Sequence, residues 1–542
     1  WDQSGATAGQ QGTKVDASTN GGSTPFSTAT ETAAITVSAV NDAPTITNGA
    51  TVTLAGTDED TASSATTVDA ILAAAGWADA DAGALKGLAL TSSAGNGTWQ
   101  YSSDGAAWTD VGAVSAGNAL LLASSAQLRY LPDGLGGETA TLGFVAWDRT
   151  SETASANGVP SYANATAGGG TSTYSAPSAG ATLAVAEVND APVLDAGGTP
   201  TLTPITEDQA SNAGDTVAAI LASAGGDRLT DVDSGALEGI AVTGLASGNG
   251  TWQYSIDGGG SWQAVGAVSD ASALLLRDID RLRFVPDGQN ADTASVSFRG
   301  WDQSGATAGQ QGTKADASTT GGSTAFSTVS ETAGLTVTAI NDAPTIAHGA
   351  LLTLPATTED VPSTASSVAS LLAGASWADV DSGALQGIAV TDATGAGTWQ
   401  YSTDGLAWSD FDAVSASAAL LLDASTLVRY VPDGTQAETA TISFVAWDRS
   451  SGTASTAGSP STANPGAGGG TGAYSSAVAG ASLQVTAVND APVLDASGTP
   501  TLTTIGEDDA SNAGDTVAAI LASAGGDRLT DVDAGALEGI AV

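Results

Sequence analysis

Hydrophobic positions fall in short alternating runs separated by turn-forming residues. Between residues 201 and 340 these runs are TLTPI (201–205), GIAVTG (239–244), GTWQYSID (250–257), SWQAV (261–265), DRLRFVP (280–286), TASVSFRGW (293–301) and ETAGLTVTAI (331–340). A two-residue period sends successive side chains to opposite faces of an extended chain, so each run predicts a strand. Asp257-Gly258-Gly259-Gly260, between two Trp-bearing runs, predicts a hairpin. One segment departs from the pattern: DTVAAILASAGG (215–226) has apolar spacings of three to four and ends in glycine, which predicts a short helix. Residues 302–330 and 149–175 are rich in Gly, Ser and Thr and predict long loops. Seven or so short strands with Gly/Pro turns predict an all-β antiparallel sandwich.

The pattern recurs. WDQSGATAGQQGTK occupies residues 1–14 and again 301–314, and NDAP begins at Asn41, Asn189, Asn341 and Asn489, spacings of 148, 152 and 148 residues. The unit is therefore about 150 residues, in two alternating variants marked by WADADAG or WADVDSG and by LTDVDSG or LTDVDAG. The expected domains are the C-terminal part of a repeat at 1–40, complete repeats at 41–188, 189–340 and 341–488, and the N-terminal part of another at 489–542. The chain reads as a window on a longer polypeptide, with any export signal outside it.

Composition narrows the chemistry. Thirteen basic against 58 acidic residues give a net charge of −45, which sets the chain against nucleic acid. There is no cysteine, so thiolate metal sites, disulfides and cysteine nucleophiles are absent. No apolar run of 18 residues appears, and no membrane insertion is expected of this segment. Aromatics are 5% of the chain, so Trp99, Trp108, Trp252, Trp262, Trp399 and Trp408 read as core anchors, with exposed sugar-stacking platforms as the alternative. No enzyme is expected: His348 is the single histidine, and nucleophile-elbow and phosphate-loop motifs are missing.

The carboxylates carry the remaining information, because they recur at fixed places in each unit. An acidic pair follows the first strand, at Glu59-Asp60, Glu207-Asp208, Glu359-Asp360 and Glu507-Asp508. A D-x-D pair followed by glycine stands at Asp79/Asp81, Asp231/Asp233, Asp379/Asp381 and Asp531/Asp533. An Asp closes the W-D strand at Asp2, Asp148, Asp302 and Asp448, and the NDAP tetrapeptide supplies Asn41-Asp42, Asn189-Asp190, Asn341-Asp342 and Asn489-Asp490. Hard oxygen ligands at short spacing are what calcium requires.

Taken in order, E-D, D-x-D-x-G, F-x-x-W-D-x-S-G and T-x-x-[VI]-N-D-A-P resemble the cadherin-like repeats of giant bacterial surface adhesins exported by type I secretion, the repeats-in-toxin class. The resemblance covers the whole chain. It implies a tandem array of cadherin- or immunoglobulin-like sandwiches with calcium at each junction. For the junction at 189–192 it implies Glu59, Asp60, Asn189, Asp190, Asp231, Asp233 and Asp302 as ligands. For the junction at 341–344 it implies Glu207, Asp208, Asn341, Asp342, Asp379, Asp381 and Asp448. Asn41, Asp42, Asp79, Asp81 and Asp148 are the matching positions of the first complete repeat, and Glu359, Asp360, Asn489, Asp490, Asp531 and Asp533 those of the last junction. Three features depart from the cadherin pattern: Ala39, Glu187, Ala339 and Ala487 stand two residues before the linker Asn, the second linker Asn is missing, and no L-D-R-E motif is present. Fewer or weaker ions per junction are therefore expected.

The function implied is a calcium-rigidified extender of an extracellular bacterial adhesin or biofilm-matrix protein, at the cell surface, holding a distal binding region away from the cell. Two alternatives stay open: a subunit of an extracellular filament, sheath or surface layer, and a calcium-dependent polysaccharide-binding module. The expected partners are the neighbouring repeats, other copies of the chain in a filament or matrix, and surface polysaccharide.

Overall fold

The computed structural model describes residues 1–5, 8–526 and 528–542. Its contacts divide the chain into two units, Trp1–Val188 with Val232–Ser234, and Asn189–Asp231 with Gly235–Val542.

The first unit holds one sandwich. In chain order its elements are β1 (Thr51–Thr53), β2 (Thr57–Asp58), β3 (Thr66–Thr67), α1 (Val68–Ala74), β4 (Gly87–Ala94), β5 (Thr98–Ser102), β6 (Thr109–Asp110), β7 (Ala119–Ala123), β8 (Gln127–Leu131), β9 (Glu138–Trp147), β10 (Tyr162–Ala163) and β11 (Tyr174–Ala186). The larger sheet runs β1-β11-β9-β4-β7-β10, with β2 also on β11, and the smaller runs β3-β8-β5-β6. β1 and β2 lie parallel to β11, and the other pairs are antiparallel. Helix α1 starts where the Thr67 hydroxyl accepts the Ala70 N–H, and its buried face is Val68, Ile71 and Leu72.

The core lies between the sheets, where Leu88, Leu90, Trp99, Tyr101, Leu120, Leu122, Tyr130 and Phe144 meet the helix. The opposite face of the larger sheet is also buried. Ala89, Leu121, Val145 and Trp147 are covered by Ala165 and Tyr174, which lie at and beyond the Gly/Ser/Thr-rich stretch. That stretch is thus a third layer, which corrects its reading as a loop alone. Burial on both faces removes the alternation from β4 and β7, each of which has four consecutive buried residues.

The second unit contains two further sandwiches of this plan. In one, the larger sheet joins Ile205–Thr206, Phe326–Thr338, Asp292–Trp301, Gly239–Ala246, Ala273–Arg277 and Lys314–Ala315, and the smaller joins Asp215–Thr216, Arg281–Val285, Thr251–Ser255 and Gln263–Ala264. Of TLTPI only Ile205 enters a strand, and Ala273–Arg277 is a strand the alternation did not predict because ALLL is buried throughout. The predicted helix is Val217–Ala222, with Asp215 and Thr216 drawn into a strand against Leu282 and Arg281. The other sandwich has its larger sheet built on Leu351–Thr353, Tyr474–Thr486, Glu438–Trp447 and Gly387–Thr394. Residues 331–340 match 31–40 in sequence, but no strand lies against 31–40 among the described residues, and Ile35 and Val37 are 90% and 85% exposed. Residues 489–542 form only a pair of two-residue strands, Val493–Leu494 with Leu529–Thr530, and the helix Val517–Ala522. Among the described residues no helix is long and apolar enough to cross a membrane.

The fold is therefore all-β, a tandem series of antiparallel sandwiches with one short helix and one long covering segment each.

Candidate metal centre

Within the second unit the recurring carboxylates converge. Ile205–Thr206 runs parallel to the end of Phe326–Thr338, and the Glu207 N–H donates to the Thr338 carbonyl at 3.1 Å. This turns the Glu207 side chain inward, where it is 1% exposed. Its Oε1 accepts the Ile340 N–H at 2.6 Å, while Oε2 is buried with no hydrogen-bond partner. From the linker, the Asp342 N–H donates to Asp381 Oδ2 at 2.8 Å, and the Asp381 N–H donates to Asp379 Oδ1 at 2.9 Å. Gly383, at φ +85°, completes the turn that carries this D-x-D pair.

One carboxylate oxygen from each of Glu207, Asp342 and Asp381 lies within 4.8 Å of the others. Burial raises the pKa of Glu207 and then Asp342, Asp381 and Asp208 push it further, against the Ile340 N–H, which lowers it. Asp342 is raised by burial, then by Asp381, Asp208 and Asp287. Asp379 is raised chiefly by burial as well. Asp342 Oδ2 and Asp379 Oδ2 are also buried without hydrogen-bond partners. Like charges held together with unpartnered oxygens cost free energy until a cation satisfies them, and an all-oxygen set suits a hard divalent ion. The group can hold a metal ion.

The arrangement recurs at Glu359, Asp490 and Asp533, again within 4.8 Å. Glu359 is 1% exposed, its Oε1 accepts the Val488 N–H at 2.6 Å and its Oε2 has no partner. The Asp490 N–H donates to Asp533 Oδ2 at 2.8 Å, and the Asp533 N–H to Asp531 Oδ1 at 2.9 Å.

The other named residues have these places. Asp208 and Asp360 are exposed beside the buried glutamates and act on the groups by charge. Asn341 Nδ2 donates to Asp448 Oδ2 at 2.9 Å, to the Gly472 carbonyl at 3.1 Å and to the Asp342 carbonyl at 3.2 Å, which lays the linker on the following sandwich. Asp448 is 5% exposed, and its Oδ1 accepts the Ser450 N–H. Asn189 holds Asp302 in the same way at 3.0 Å, and Asn489 Nδ2 bonds the Asp490 carbonyl. In the first unit Asn41 holds Asp148 at 2.9 Å, Asp42 N–H donates to Asp81 at 2.8 Å and Asp81 N–H to Asp79 at 2.8 Å. Glu59, 2% exposed, accepts the Val188 N–H at 2.8 Å, and Asp60 is exposed. Asp190, Asp231 and Asp233 are half-buried.

Sequence reasoning missed the Pro-Asp-Gly turn. Asp287 adds its charge to Asp342, and Gln289 and Asn290 line a cavity of about 610 Å³ together with Asn341, Asp381 and Asp448. The signal was available, since the turn recurs at Asp133, Asp287 and Asp433. The tryptophans divide into two sets. Trp99, Trp252 and Trp399 are 3–4% exposed, and Trp147, Trp301 and Trp447 are fully buried. Trp108, Trp262 and Trp408 are not core anchors: they are half-buried, each with Arg129, Arg283 or Arg429 over its ring at 4.2, 4.1 and 3.9 Å. They sit beside short edge strands, and the stacked guanidinium covers a ring that no second layer reaches.

No family model and no curated protein matches the sequence. Among solved structures, the chain is similar to protocadherin gamma B2 extracellular cadherin domains 1–5 at 14% identity and a TM-score of 0.38, covering 83% of this chain and 60% of that one. It thus spans less than two thirds of that structure's length. It is also similar to mouse clustered PcdhgC3 EC1–3 at 13% identity and a TM-score of 0.27, covering 72% and 89%. A third likeness is to an endo-fucoidan hydrolase from glycoside hydrolase family 107, at 12% identity and a TM-score of 0.18, covering 83% and 45%.

Proposed function

We propose that the chain is a calcium-binding array of cadherin-like sandwiches that serves as the extender of an extracellular bacterial adhesin or matrix protein. The observation that carries this reading is the Glu207, Asp342 and Asp381 group. Three carboxylates from distant sequence positions meet within 4.8 Å, and the one contributed before the linker is 1% exposed with an oxygen left over. Glu207 would hold the ion from the preceding sandwich, Asp342 from the linker and Asp381 from the following one. The ion would supply positive charge where three negative charges converge, and by bridging two sandwiches it would fix their angle. The role is mechanical, with no catalytic residue assigned, and the partners are the neighbouring repeats and other molecules of the same matrix.

Small-angle scattering of the full chain tests the reading, in calcium and in excess chelator at one ionic strength so that general screening is constant. A maximum dimension that grows with calcium supports it. Identical profiles in the two conditions would remove the stiffening role.

A further inference from the structure

We infer that each linker is divided at one peptide bond, with everything before it fixed to the preceding sandwich and everything after it fixed to the following one, so that the carboxylate group is a clamp across a preset hinge. The cation part of this inference rests on the calcium reading above. The division itself rests on hydrogen bonds.

On the near side of the bond between Ile340 and Asn341, Ile340 is held by Glu207 Oε1 at 2.6 Å, and Glu207 in turn by the Thr338 carbonyl. On the far side the whole network belongs to the following sandwich. Asn341 bonds Asp448 and Gly472, the Asp342 N–H bonds Asp381, and the Ala343 N–H bonds the Gly470 carbonyl at 2.8 Å. The Thr345–Ala378 bridge follows directly. No sheet among the described residues contains strands from both 201–338 and 351–486. Where side chains would otherwise pack across the division there is the cavity of about 610 Å³, with Gln289 and Asn290 on one side and Asp381, Leu385 and Asp448 on the other.

Two other places in the chain show the halves forming independently. At Asn41 the far-side network is complete: Asn41 bonds Asp148, Asp42 bonds Asp81 and Ala43 bonds Gly170. This holds although residues 31–40 form no strand and are exposed. At Val488 the near-side bond to Glu359 is present at 2.6 Å, although the residues after Asn489 form no complete sandwich. Each half therefore takes its shape from one sandwich alone. Removal of the ion should free rotation at the division without melting the linker.

Amide hydrogen exchange and label-to-label distances on the full chain test this, with Ala271→Cys and Ser417→Cys as labelling sites in a chain that has no cysteine of its own. On chelation the distance distribution should broaden, while protection at Ile340, Asp342 and Ala343 changes by less than about threefold. Loss of protection at all three by about tenfold or more would show that the linker melts as one piece and overturn the division. An unchanged, narrow distribution would also overturn it. Protected amides with a distribution that is broad both with and without calcium would uphold the division and sink the calcium reading, which separates the two failures. Glu207→Ala should expose Ile340 and leave Asp342 and Ala343 protected, and Asp381→Ala should expose Asp342 and leave Ile340 protected. Either variant exposing both sides refutes the independence of the halves. Glu207→Gln, which keeps the acceptor, should restore protection at Ile340 should the alanine variant fold poorly.

Discussion

Glu207→Gln should invert the order of stability between calcium and chelator. The substitution keeps the shape of the side chain and an oxygen for the Ile340 N–H, but removes its charge. At an effective dielectric of about 20, two unit charges at the 4.8 Å limit of the group repel by about 3.5 kcal/mol. Glu207 makes two such pairs, with Asp342 and Asp381. Because both partners are only half-buried, water and salt screen much of this, and about 1–3 kcal/mol is the expected relief in chelator. For a domain of this size that raises the thermal midpoint by roughly 3–10 °C. In calcium the same change removes a ligand, and the wild type should be the more stable protein.

The pH dependence has a matching sign. Glu207 and Asp342 are raised in the folded protein, so without metal the folded state binds protons that the unfolded chain has released. Stability is then full below the ordinary values of 4.5 and 3.8 and falls as the pH rises through the raised ones. Calcium should abolish that fall. Scanning calorimetry of both proteins, in calcium and in chelator, reads all of this. A variant less stable than wild type in chelator would refute the reasoning, because it would mean that hydrogen bonding holds the carboxylate more strongly than its neighbours repel it.

Other perturbations have separate readouts. Trp252→Ala removes a ring 3% exposed and packed edge-on to Phe284 at 5.3 Å, and should cost about 3–5 kcal/mol in denaturant unfolding. Trp262→Ala, which removes a surface ring under Arg283, should cost about 1 kcal/mol or less, and equal losses for the two would undo the division of the tryptophans. Arg228 and Glu331 form a buried pair at 3.3 Å, so Arg228→Ala should destabilise by about 3–5 kcal/mol, and Arg228→Met with Glu331→Leu should recover most of it; failure to recover would mean the pair itself stabilises the repeat. The Asp104 carboxylate accepts the Ala106 and Ala107 N–H groups and should titrate at about 2 in a carbon-detected NMR titration, its contribution to stability being lost as the pH falls from 3.8 toward that value. A midpoint near 3.8 would show that the turn opens in solution.

The sandwich was legible wherever one face of a strand meets solvent, as in Thr251–Ser255 and Arg281–Val285, because alternation records a single buried face. It was illegible where a third layer buries both faces, so ALLLR (273–277) passed unread and residues 302–330 read as a bare loop although Ala317 and Phe326 cover Trp301. At the candidate centre, recurrence picked out Glu207, Asp342 and Asp381, which the fold brings together. Recurrence could not tell these from Asp448, which takes its hydrogen bonds from Asn341 and Ser450, or from the exposed Asp208, because spacing does not report which way a carboxylate turns. Asp287 was overlooked because a Pro-Asp-Gly triplet is explained well enough as a turn.

The most direct measurement is calorimetric titration of metal-free full chain with calcium at fixed ionic strength, beside the double variant Glu207→Gln with Glu359→Gln. The account predicts saturable binding that magnesium does not reproduce at equal concentration, with the sites at Glu207 and Glu359 lost or strongly weakened in the variant. Isotherms that coincide for the two proteins, or heats that never saturate, would contradict it.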